Sequence, residues 1–127
     1  MSSESLHVPR EILSPEVRLL HYAITSLKEE LDAIDWYRQR AEDSEDEALK
    51  QLLLHNMREE MEHASMLIEW LRRNNGDFAG HLKTYLFSEG PILGIERAVT
   101  GNPGGAGPAG SGAGDRAVTI GSLKGTR

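Results

Sequence analysis

Residues 44–73 read SEDEALKQLLLHNMREEMEHASMLIEWLRR, and the spacing within them decides the fold. Ser44 and Glu47 stand at capping-box spacing, and the acids there suit the positive end of a helix dipole. Arg72 and Arg73 suit the negative end. Between them a stripe runs through Leu49, Leu53, Asn56, Glu60, His63, Leu67 and Trp70, in steps of 3 and 4 residues. That is one face of a long helix. The stripe is apolar at both ends and polar in the middle.

The preceding segment pairs with it. Ser14-Pro15-Glu16 is a helix start, with a capping Ser, a Pro pre-set for the first turn and an acid at the dipole. Val17, Leu20, Ile24, Leu27, Leu31 and Ile34 then repeat in steps of 3 and 4. The helix is expected over 15–41, about 40 Å long at 1.5 Å per residue. Only a few residues separate the two helices, so they pack antiparallel as a hairpin. A shorter third helix is expected over 77–87, capped by Asp77 and ended by Gly90-Pro91.

The ends of the chain differ in composition. Seven of the thirteen glycines fall in residues 101–114, GNPGGAGPAGSGAG. Such a stretch buries too little surface to order its backbone and reads as a linker. With a loose N-terminus, about 80 residues remain to fold, few enough that an oligomer is expected. The expected organisation is a flexible N-terminus over 1–13, a helical domain over 14–96, a linker over 97–116 and a terminal segment over 117–127.

Charge and composition narrow the function. The 127 residues carry 14 Lys+Arg against 20 Asp+Glu, a net charge of −6. This argues against a nucleic-acid binder that works by neutralising phosphates. No apolar run reaches the roughly 18–20 residues a membrane span needs. The absence of cysteine excludes disulfides, thiolate metal sites and a Cys nucleophile.

The polar middle of the stripe is the anomaly. Three polar positions in a core seam cost stability unless something compensates. Glu60 and His63 form a Glu-x-x-His pair on one helix face. Reflection about a turn near residues 43–45 sets Glu30 at their height across the hairpin. Two carboxylates and an imidazole suit iron or manganese, whereas Mg and Ca favour all-oxygen sites. Three ligands undersupply a metal. Two copies of the set give four Glu and two His, the di-iron carboxylate pattern of four-helix bundles, so a symmetric dimer is expected. The competing reading is a solvated helix face with a lone histidine; the broken seam, the height of Glu30 and the half bundle weigh against it. Glu29 and Asp32 form an acidic stripe beside Glu30, read either as a solvated face or as an outer metal-attracting site. Trp36 and Tyr37 read as interface residues, and Tyr37 shares the stripe of Glu30, within reach of a ligand.

Taken together, LKEELDAIDWY (27–37), HNMREEMEHASM (55–66), LIEWLRRN (67–74) and HLKTYLFSEGPI (81–92) resemble the encapsulated ferritin family. The segment VTIGSLK (118–124) resembles the C-terminal peptide that docks such cargo inside an encapsulin shell. The resemblance implies an all-α fold: a two-helix hairpin plus a short C-terminal helix, dimerising into a ferritin-like four-helix bundle and assembling into a ring-shaped decamer. It implies a ferroxidase, an Fe(II):oxygen oxidoreductase with two Fe per dimer interface, held by Glu30, Glu60 and His63. It further implies an outer site at Glu29 and Asp32, holding Ca or another divalent ion, and a Tyr37 close to the di-iron centre. The implied partner is the shell protein, met by Val118, Ile120 and Leu123, and the implied location is a cytoplasmic encapsulin nanocompartment that stores the iron. The alternative is a non-catalytic, metal-scavenging cargo protein; a purely structural hairpin is disfavoured by the seam break.

Overall fold

The computed structural model describes residues 5–101. The expected linker beyond Gly101, and the terminal segment with Val118, Ile120 and Leu123, lie outside the described residues. The described residues are all-α, with four helices and no strand. They divide after Asn74 into two units.

The first unit is the hairpin. Helix α1 spans Pro15–Asp43, and its Ser14 hydroxyl accepts the Val17 N–H at 3.2 Å. The segment ahead of it, expected to be loose, makes a 3₁₀ turn over Arg10–Ile12. Arg18 ties that turn to α1 by donating to the carbonyls of Leu13 (2.6 Å) and Arg10 (3.2 Å). Helix α2 spans Glu47–Asn74. Its cap is Asp46, whose carboxylate accepts the Leu49 N–H at 2.7 Å. Ser44, the expected cap, instead folds its hydroxyl onto the Asp46 backbone and shapes the turn. A carboxylate at Asp46 satisfies the orphan donors better than a hydroxyl two residues upstream.

The buried positions of the hairpin are Ala23 and Ala41 on α1 and Ala64 and Leu71 on α2. None belongs to the apolar stripes read from the sequence. Those stripes are half-buried or exposed, with Val17, Ile24, Leu31 and Leu49 between 39% and 51% accessible. Small alanines let two helix backbones approach closely, and Val17, Ile24, Leu31 and Leu49 of the stripes are left exposed while Leu20, Leu27, Ile34, Leu53, Leu67 and Trp70 are half-buried. Complete burial of Leu71 contributes about 2 kcal/mol.

In the second unit, α3 spans Gly76–Tyr85. Its cap is Asn75, whose side-chain oxygen accepts the Phe78 N–H at 2.8 Å, so the expected Asp77 sits inside the first turn. Helix α3 stops two residues before the expected 87: Leu86 already turns extended, with ψ 138°, and Phe87 follows with a left-handed φ of 62°. A fourth helix, α4, spans Ile92–Thr100 directly after Pro91 and buries Ile95. Gly90-Pro91 reads in the sequence as a stop, but Pro is equally at home where a helix begins. No helix among the described residues is long and apolar enough to cross a membrane.

Candidate metal centre

Midway along the hairpin, the reflection expected from the turn is met. Glu30 of α1 and Glu60 and His63 of α2 each present one ligand-type atom, all within 4.8 Å of one another. Among the described residues this is the one such cluster of three or more His, Asp or Glu side chains. Helical spacing of i and i+3 sets Glu60 beside His63, and His63 Nδ1 lies 3.0 Å from Glu60 Oε1. The same nitrogen lies 3.5 Å from Glu30 Oε1 across the hairpin. The two carboxylates are about a quarter accessible, at 24% and 23%, and the imidazole 43%. The cluster is therefore open on one side.

The three groups perturb one another. Glu30 is held above the ordinary carboxylate range, first by its hydrogen bond with Glu60 and then by burial. Glu60 is held below it, by hydrogen bonds from Glu30 and His63. His63 is raised, chiefly by its hydrogen bond to Glu60. Two carboxylates this close favour sharing a proton over double ionisation. A divalent cation would relieve the same repulsion. Convergent oxygen, oxygen and nitrogen donors fit iron or manganese, yet three donors leave coordination positions to be supplied from elsewhere.

Beside the cluster lies an open groove of about 480 Å³ lined by Leu31, Ile34, Asp35, Arg38, Met57 and Met61. Leu31 is 51% and Met61 44% accessible. The sequence pattern assigns no role to Met57, Met61 or Arg38; the available signal is two methionines at i and i+4, one residue off the polar seam. Glu29 and Asp32 are exposed on α1 and stand outside the three-residue cluster. Tyr37 is half-buried two turns from Glu30, and the Arg40 guanidinium carbon lies 5.8 Å from its ring centre. Trp36 is exposed.

Against this geometry the comparisons are specific. The model of the family described as EncFtn-like matches residues 5–89, most of the chain and the whole cluster. The chain belongs to the EncFtn-like family. This EncFtn-like chain is 53% identical over 127 residues to the encapsulated ferritin-like protein of Rhodospirillum rubrum, covering 98% of this chain and 91% of that one. It is 44% identical over 99 residues to the ferritin-like protein of Thermotoga maritima, covering 78% and 87%. Among solved structures, the EncFtn-like fold is similar to protein ne0167 from Nitrosomonas europaea, with a TM-score of 0.67 and 49% identity. That match covers 69% of this chain and 97% of the other.

Proposed function

We propose that the chain is a ferroxidase that oxidises Fe(II) to Fe(III) at a di-iron centre completed by a second copy across a dimer interface. The observation that carries the reading is the convergence of Glu30, Glu60 and His63 on a face left open between exposed apolar residues. A half set of ligands beside an uncovered seam is what a symmetric partner would complete. The name of the Rhodospirillum rubrum relative, an encapsulated ferritin-like protein, supports iron chemistry in a compartment.

In this reading Glu30, Glu60 and His63 hold the iron, which supplies electron-transfer chemistry toward O₂ when bound. The chain's own groups do the rest. The carboxylates attract and orient the cation, and protons compete with it for the ligand atoms of Glu30, Glu60 and His63, so binding weakens at low pH. The outer acids Glu29 and Asp32 raise the local cation concentration, and Tyr37 serves as a supporting neighbour. The assembly is a dimer within a ring-shaped decamer. Val118, Ile120 and Leu123 dock the chain inside an encapsulin shell in the cytoplasm, where the iron is stored.

Two experiments test this. Oxygen uptake on Fe(II) addition is abolished by Glu30→Ala, Glu60→Ala or His63→Ala under the ferroxidase reading. Iron bound without oxygen uptake by the intact chain means a scavenging protein instead. Co-expression of a chain truncated at Gly101 with its shell gives active, unpackaged protein; normal packaging removes the docking role of the terminal segment.

A further inference from the structure

Asn56 is the third polar position of the α2 stripe, and the ferroxidase reading gives it no task. It stands one helical turn before Glu60 on the same face, where i and i+4 side chains are neighbours. Its side chain is half-buried, and among the described residues that side chain makes no hydrogen bond. Water can serve its donors only while the stripe is uncovered. Once a second copy lies on that stripe, an unpaired amide carries an uncompensated desolvation cost, and an apolar residue would be the more stable choice. The acid one turn further along its own stripe is Glu60, whose Oε1 contacts His63 and which has further lone pairs to accept with.

We propose that Asn56 is a positioning residue for Glu60: with the seam covered, its side-chain N–H donates to the Glu60 carboxylate and fixes the orientation of that carboxylate toward a cation. Hydrogen-bond partners of this kind orient metal ligands, and their loss weakens metal binding. The proposal rests on the metal-centre reading above. It differs from a pairing role, in which a lone polar residue in a seam selects register and partner, because it assigns Asn56 an effect on affinity.

The test is anaerobic Fe(II) titration of the full chain, with sedimentation in parallel, for Asn56→Leu, Asn56→Ala, Asn56→Gln and Glu60→Ala. Asn56→Leu is expected to assemble at least as well as the native chain. Both Asn56→Leu and Asn56→Ala should bind Fe(II) about ten-fold or more weakly, with Asn56→Gln recovering part of the loss. Native affinity in the Leu and Ala variants, with Glu60→Ala defective, overturns the role of Asn56 and leaves the metal centre standing. Native affinity in Glu60→Ala overturns both. Where Asn56→Leu does not assemble, equal affinities of the Ala and Gln variants overturn the proposal.

Discussion

The hairpin carries two acidic regions, the turn and the middle, and they use their carboxylates differently. In the turn, Glu42, Asp43, Glu45, Asp46 and Glu47 crowd into six residues. Asp46 accepts the Leu49 N–H at 2.7 Å, and Glu47 accepts from the Gln51 side chain at 2.8 Å. Each contact is local, exposed and complete within one helix end. In the middle, Glu30 and Glu60 come from different helices, are mostly covered, and meet each other and one histidine. Acid density is as high at the turn, so density does not make a site. What separates the two is convergence across a long-range pairing that leaves charges unresolved.

The strongest way to break this comparison is a charge-matched pair of variants. Glu60→Ala and Glu45→Ala each remove one carboxylate. The first is expected to lower the Fe(II) oxidation rate by about 100-fold or more, since even outer partners of metal ligands are worth 10–100-fold; the second leaves it unchanged. The metal-free melting temperature should move little in Glu60→Ala, because relief of carboxylate repulsion offsets the lost packing. Equal rates in the two variants would erase the distinction between middle and turn.

A second variant sharpens the turn side. Asp46→Ala removes the cap of α2 and is expected to cost about 1 kcal/mol of stability, seen as a lower melting temperature. Oxidation per assembled centre should stay at the native level. Ser44→Ala, at the position whose hydroxyl only shapes the turn, should cost less.

The smallest effect is in the pH dependence of the metal-free protein. Below the ordinary imidazole range, about 6.5, His63 is charged in folded and unfolded chains alike, and its contacts with Glu60 and Glu30 contribute fully. The contribution is lost as pH rises through the raised folded value. Glu30, also raised, acts in the same direction: its contribution is present below the ordinary carboxylate range and lost as pH rises. Glu60 is opposite, contributing above that range and losing it as pH falls through its lowered value. A gentle loss of stability is therefore expected on the alkaline side. His63→Ala should flatten it, as melting curves across pH would show. With His63 43% accessible, solvent screening keeps the change modest.

The middle is legible in the amino-acid sequence because two independent signs meet there. The broken stripe at Asn56, Glu60 and His63 needs only the 3.5-residue period, and Glu30 needs only the position of the turn. The start of α1 is legible because Ser14-Pro15 is a local signal, satisfied by the Val17 N–H. What escapes the pattern involves choices between neighbours. Ser44 and Asp46 can both cap, as can Asn75 and Asp77, and backbone geometry decides between them. The buried lines through Ala23, Ala41, Ala64 and Leu71 run beside the large-residue stripes, and both faces are apolar. A single chain cannot tell which face it keeps and which it offers. Helix α4 is hidden by the double meaning of Pro91.

The division of the cluster between α1 and α2 of a single protomer, one Glu from the first and Glu-x-x-His from the second, bears on inheritance. Under the proposed reading, in which a second copy completes the centre, the centre is owned by neither chain. In a cell making intact and ligand-deficient chains in equal amounts, random pairing leaves only about a quarter of two-fold centres with both halves sound. On that reading a defect in one copy of the gene reaches most of the centres, and selection on these three side chains would act on the mixture before it acts on the individual chain.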